Sequence, residues 1–81
     1  MTYSINFHAA ASAQIPGLPE RAFLALLDEL AGIGADPHHR GVAHPEDAAF
    51  REQVFGGVGL VSFVVDDATK VVTVYSITWA G

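Results

Sequence analysis

Polar and apolar residues alternate at the start of the chain, and a helical pattern follows. Residues 2–7 place Tyr3, Ile5 and Phe7 on one side of a period-two repeat, which predicts a strand with one face toward a core. Residues 8–15 are rich in alanine, the best helix former, and stop at Pro16 and Gly17. This stretch predicts a short first helix.

A longer second helix is predicted after Pro19, which suits the first position of a helix. Large apolar residues then recur at i, i+3, i+4 and i+7, the spacing of one helix face. We expect Gly32 or Gly34 to end the helix in left-handed backbone geometry, and residues 36–41 to form a loop. The residues of the apolar stripe are Phe23, Leu26, Leu27 and Leu30.

The segment of residues 44–55 allows two interpretations. Pro45 and the two acidic residues after it suit the start of a helix, whereas the alternation of residues 50–55 suits a strand. We predict a helical turn from Pro45 to Ala49, then a strand from Phe50 to Phe55 that ends at a pair of glycines.

The last third of the chain predicts a β-hairpin. Residues 58–65 and 71–79 are rich in β-branched and aromatic residues, and residues 66–70 have the composition of a turn. The order predicts an α+β fold, β-α-α-β-β-β, in which two helices pack on one face of an antiparallel sheet. The expected core residues are Phe23, Leu26, Leu27, Leu30, Phe63, Val65, Val74 and Ile77.

Length and composition narrow the class of protein. A chain of 81 residues predicts a single domain, residues 1–81, and its 51% hydrophobic content predicts an apolar surface that is buried against a partner. Without cysteine, disulfides and thiolate metal sites are excluded. No basic leader or bilayer-length apolar run is present, so we expect a soluble cytoplasmic protein without a membrane segment. Nine acidic and four basic residues give a formal charge of −5, which disfavours general nucleic-acid binding.

Three loop histidines near two aspartates are the first candidates for chemistry. His38, His39 and His44, with Asp36 and Asp47, are either exposed loop residues, proton donors and acceptors, or ligands of a zinc ion. Their spacing matches no recognised ligand pattern, so we predict neither a metal nor another cofactor.

Arg51 and two aromatic residues each allow two interpretations. Arg51 is either a phosphate contact or an ordinary strand residue that faces solvent or pairs with Glu46 or Asp47. Tyr75 and Trp79 either stack on a nucleobase or pack in the core or against a partner.

The element order, the helical break at residues 16–19 and the final hairpin resemble the RelE/ParE toxins of type II toxin-antitoxin systems. The best match covers residues 50–67, an arginine-bearing strand, a glycine turn, a strand and a turn with paired acids, and residues 72–77 are similar to the last strand of the family. The resemblance implies a cytoplasmic toxin that cleaves ribosome-bound mRNA as an endoribonuclease and is silenced by an antitoxin. Arg51 is the one residue that matches a basic position of the family, and we predict a catalytic set of Arg51 with His39 and Arg40 of the loop. The expected antitoxin contacts are Phe23, Leu27, Tyr75 and Trp79.

Two positions depart from the pattern of the RNA-cleaving members. Those members carry a basic residue on the strand after the glycine turn and a His or Arg near the end of the last strand, where this chain has Gly59 or Leu60 and Trp79–Ala80. Metal-free RNA cleavage needs fixed cations for the extra negative charge of its transition state. The alternative is therefore a non-catalytic member, ParE-like or degenerate, that acts by binding a protein. A homodimer and a toxin-antitoxin hetero-oligomer both remain open, as does an unrelated small dimeric domain.

Overall fold

A computed structural model describes residues 2–81, and the helices and strands in it follow the predicted order with one additional strand. Each of the two helices is followed by a short 3₁₀ turn, Ile15–Gly17 and Pro37–His39. The helices and strands are β1 Ser4–Phe7, α1 Ala9–Gln14, α2 Glu20–Ala35, β2 Val42–His44, β3 Asp47–Phe55, β4 Gly59–Asp66 and β5 Val71–Trp79.

The five strands form one sheet in the order β1-β5-β4-β3-β2. Neighbouring strands from β2 to β5 are antiparallel, but β1 runs parallel to β5, with Ser4 opposite Val71 and Phe7 opposite Val74. The α+β class is confirmed, and the expectation of a wholly antiparallel sheet is wrong. Because the helices carry the chain from β1 to the far edge of the sheet, the last strand returns beside β1 in the same direction.

The predicted helical turn from Pro45 to Ala49 is absent, and a turn at Pro45 and Glu46 joins β2 to β3 instead. Two side chains accept hydrogen bonds from backbone amides of this segment. The Glu46 amide donates to His44 Nδ1 at 3.1 Å, and the Ala49 amide donates to Asp47 Oδ1 at 3.0 Å. Such local side-chain acceptors stabilise turns at the expense of helix.

The helix α2 continues through both glycines that were expected to end it. The glycines permit close packing at the C-terminal end of the helix. A Cβ at Gly32 would collide with the Arg40 guanidinium, and a Cβ at Gly34 would lie 3.3 Å from the Tyr3 carbonyl oxygen. The helix then stops at Ala35, before Pro37.

The buried face of α2 differs in phase from the predicted stripe. Leu27 is 47% exposed and Phe23 is half-buried, so their placement in the core is wrong. Ala22 and Ile33, both fully buried, complete the face. The other expected core residues are buried as predicted: Leu26, Leu30, Phe63, Val65, Val74 and Ile77.

Alternate residues of the sheet point to opposite sides. One side packs against α1 and α2 through buried residues such as Val61, Val72 and Phe55. We call the other side the open face, because neither helix covers it. By register the open face comprises Ser4, Asn6, Val42, Phe50, Glu52, Val54, Leu60, Ser62, Val64, Asp66, Val71, Thr73, Ser76 and Thr78.

Within residues 2–81, no helix is both long and apolar enough to cross a bilayer.

Candidate functional site

Arg51 faces the helices rather than the open face. It lies opposite Phe63 in the β3–β4 ladder, and Phe63 is fully buried against the helices. Arg51 Nε donates to the Arg40 carbonyl oxygen at 2.9 Å, and its terminal nitrogen donates to the Gly41 carbonyl oxygen at 3.1 Å. Arg51 therefore holds the chain where it enters β2, and this contact replaces the expected pairing with Glu46 or Asp47.

The side chain of Arg40 is held by α2. Its guanidinium donates to Glu29 Oε2 at 2.9 Å and lies against Gly32. Arg40 and Arg51 are therefore neighbours, but one is paired with a carboxylate and the other with two carbonyls. Neither guanidinium is directed at a common point where a phosphate could bind.

The histidines are separated from one another and have different partners. His39 Nδ1 lies 2.8 Å from Asp36 Oδ2, three residues earlier, and His38 Nε2 lies 2.6 Å from Asp67 Oδ1. The ring of His44 meets the edge of the Phe50 ring, with centroids 6.0 Å apart. In the part of the chain that the structure describes, no group of three His, Asp or Glu side chains could hold a metal ion.

A surface network joins the start of β1 to the β4–β5 turn. Asp67 Oδ1 accepts hydrogen bonds from Tyr3 Oη and His38 Nε2, both at 2.6 Å, and the Lys70 ammonium lies 5.1 Å from the centre of the Tyr3 ring. The hydrogen bond from Tyr3, and then that from His38, lowers the pKa of Asp67. The same bond to Asp67 raises the pKa of Tyr3. The sequence signalled only the paired acids of this turn, because the partner residues lie far away along the chain.

Tyr75 and Trp79 each pack against another ring of the protein. Tyr75 is the extra residue of a β-bulge in β5, and its ring stacks on His8 with centroids 5.1 Å apart. Trp79 packs on Phe55 at 5.6 Å, with the Arg21 guanidinium 5.7 Å from the centre of its ring. Tyr75 remains 42% exposed and Trp79 is half-buried, so Tyr75 offers more surface to a partner.

A second exposed apolar surface lies on α2. Leu24 and Leu27 are 56% and 47% exposed, one helical turn apart, and Phe23 is beside them. Phe23 and Leu27, proposed as antitoxin contacts, therefore lie together on the outer surface of the helix. Tyr75 and Trp79 lie on β5, so the four residues are not one continuous patch on a single element.

The fold brings together the two positions at which the resemblance led us to expect basic residues. Gly59 lies directly opposite Trp79, and Leu60 lies opposite Thr78. Glycine, leucine, tryptophan and threonine supply no charge for a phosphate. Within residues 2–81, the open face carries no Arg or Lys side chain.

One carboxylate lies in the middle of the open face. Glu52 is flanked along β3 by Phe50 and Val54 and accepts a hydrogen bond from Ser62 Oγ at 3.3 Å. Sequence reasoning missed Glu52, although the signal was present: it is the one charged residue among alternate positions that are otherwise aromatic or aliphatic. Beside Phe50, an open depression of about 270 Å³ is lined by His44 and Asp47.

Solved structures with the same fold are RelE toxins. The chain matches the RelBE2 toxin-antitoxin complex from Mycobacterium tuberculosis with a TM-score of 0.84 and 20% identity over 99% of this chain and 100% of that one. It matches a mutant of the E. coli toxin RelE in the free state with a TM-score of 0.85 and 18% identity over 99% and 85%. It matches the archaeal RelE–RelB complex from Pyrococcus horikoshii with a TM-score of 0.73 and 18% identity over 100% of this chain and 98% of that one. No protein-family model and no curated protein sequence matches the chain.

Proposed function

Because the chain has the fold of the RelE toxins, we propose that it is the cytoplasmic, single-domain toxin-fold member of a type II toxin-antitoxin pair, and that it acts by binding proteins. Three of the matching structures are RelBE-type toxin-antitoxin complexes, and a fourth holds the E. coli toxin with an antitoxin peptide. By analogy, a cognate antitoxin is the first partner of this chain.

The apolar surface that the fold leaves exposed supports binding to a protein. Leu24 and Leu27 on α2, and Val42 and Val54 on the open face, are 47–77% exposed. In a chain of 81 residues, such patches on two sides are typical of a surface that is covered by a partner. Protein segments commonly bind by laying apolar side chains along grooves or sheets.

The observation that favours binding over RNA cleavage is how the candidate catalytic side chains are already paired within the protein. Arg51 binds two backbone carbonyls, Arg40 pairs with Glu29, and His39 is directed at Asp36. Each of these candidate catalytic residues therefore holds a neighbouring segment in place. Cleavage of RNA without a metal requires positioned donors at the developing phosphorane charge, and loss of one such donor costs about a hundredfold or more in rate. The proposed activity is therefore inhibition of a target by contact, with no cut in RNA.

Co-expression tests the pairing. The tagged chain is produced with the small protein encoded in the adjacent reading frame, and with an unrelated small protein as control. The proposal predicts that the chain alone slows growth, and that the neighbouring protein copurifies with it and restores growth. An adjacent protein that neither binds nor changes growth would contradict the proposal.

A further inference from the structure

The open face is built for apolar contact. Along β3 and β4 it presents Phe50, Val54, Leu60 and Val64, which lie opposite one another in the ladder as Phe50–Val64 and Val54–Leu60. Val54 is 52% exposed, and Leu60 and Val64 are half-buried. Hydroxyl side chains of β5, such as Thr73, continue the face without adding charge. Burying aliphatic surface of this kind contributes about 25 cal/mol per Å².

The carboxylate of Glu52 interrupts this surface at its centre. Val42 and Ser62 flank Glu52 in register on the neighbouring strands, and the Ser62 hydroxyl is its one hydrogen-bond partner among residues 2–81. A carboxylate can accept several hydrogen bonds, so Glu52 can accept further hydrogen bonds from a segment that covers the face. A covering segment that left Glu52 unpaired would bury an uncompensated charge, which is costly.

The charges around the face have the same sign as Glu52. Asp47 lines the depression at its rim beside the ring of Phe50. The four Arg and Lys side chains of the chain lie elsewhere: Arg21 over Trp79, Arg40 on Glu29, Arg51 on the chain before β2, and Lys70 over Tyr3. Asp66 also lies on the open face by register, no Arg or Lys lies there among residues 2–81, and the formal charge of the chain is −5, so the fixed charges favour a basic partner.

We propose that the open face binds a protein segment whose inward side chains are apolar and include one Arg or Lys paired with Glu52, an inference that rests on the proposed function. Charge complementarity selects this occupant. A second copy of the chain in symmetric contact would bring Glu52 against Glu52, and RNA would add phosphates to a negative face. A second basic residue of the segment, next to the one that pairs with Glu52, would reach Asp47 and lay the aliphatic part of its side chain along Phe50.

Peptide selection tests the chemistry of the face directly. Random peptides displayed on phage are selected on the immobilised wild-type chain, and the enriched sequences are synthesised for binding titrations by fluorescence anisotropy. The proposal predicts apolar peptides with one or two basic residues. Glu52→Gln weakens their binding by about tenfold or more, because the partner cation is left unpaired. Val54→Ser also weakens binding, and Glu20→Gln, a matched change on the exposed side of α2, leaves it unchanged.

Three results of the peptide selection would overturn the inference. They are enrichment of acidic peptides, binding that survives Glu52→Gln and Val54→Ser but is lost in Leu27→Ser, and no enrichment at all. Circular dichroism of Glu52→Gln confirms that the exposed substitution leaves the fold intact. The proposed function and the proposed site can fail separately. A neighbouring protein that copurifies equally well with the Glu52→Lys variant would support the pairing and refute the site. Basic peptides that bind the open face, when no neighbouring protein copurifies, would support the site and refute the pairing.

Discussion

Arg51 provides the sharpest test of whether a candidate catalytic residue has a structural role. Arg51→Ala removes two hydrogen bonds from a charged donor, at 2.9 and 3.1 Å, to the carbonyls of Arg40 and Gly41. Hydrogen bonds to charged groups contribute about 1.5–3 kcal/mol each when buried, and Arg51 is half-buried. We therefore expect a loss of about 2 kcal/mol in the free energy of unfolding.

Urea denaturation followed by circular dichroism measures this loss. With a slope of about 1 kcal/mol per molar urea, the midpoint of unfolding falls by about 2 M. Arg51→Lys keeps the charge but cannot span both carbonyls, so its loss is about half as large. Arg21→Ala, which removes an exposed cation over the Trp79 ring, is the control and costs about 0.5 kcal/mol. An Arg51→Ala protein as stable as the wild type would refute the assigned role.

Three further predictions concern the fold and its surface network. In urea denaturation, Leu26→Ala should cost about 2–5 kcal/mol and Leu27→Ala about 1 kcal/mol, because only Leu26 is buried; equal losses would contradict the phase of α2. Gly41→Ala should cost more than about 2 kcal/mol in the same assay, since φ is +72° and a Cβ would collide with the facing strand; an unchanged midpoint would contradict this. Tyr3→Phe should raise the pKa of Asp67 in a carboxyl NMR titration. A carboxylate whose pKa is lowered in the folded state contributes stability that is lost as the pH falls through that pKa. The Tyr3→Phe variant should therefore lose less stability on acidification than the wild type. An Asp67 pKa that does not change in the variant would exclude the hydrogen bond between Tyr3 and Asp67.

The fold was predictable where the local pattern and the turn chemistry agree. Residues 58–65 and 71–79 are rich in β-branched and aromatic residues, a turn with two aspartates separates them, and they form the expected hairpin. The strand β2 was missed because its three residues are too short for a periodic signal, and its pairing with β3 depends on contacts from Arg51 that the sequence does not display. The phase of α2 was misjudged because Ala22 carries little hydrophobic weight, although it is fully buried.

The candidate site was harder to predict because its features depend on which side of the sheet each residue faces. Arg51 was singled out for its charge, and its orientation toward the helices follows from the β3–β4 register, which no local pattern specifies. The same register places Glu52 on the open face. His38 and Asp67 are separated by 29 positions, so their contact is invisible until the 3₁₀ turn and the β4–β5 turn are brought together.

Mapping mRNA 5′ ends after induction of the chain measures most directly whether it inhibits growth by contact or by cutting RNA. The account predicts growth arrest with the same pattern of 5′ ends as an uninduced culture, and the same result for Arg40→Lys. New ends at defined codons of ribosome-bound mRNA that disappear in a folded Arg51→Lys variant would contradict it and establish a nuclease.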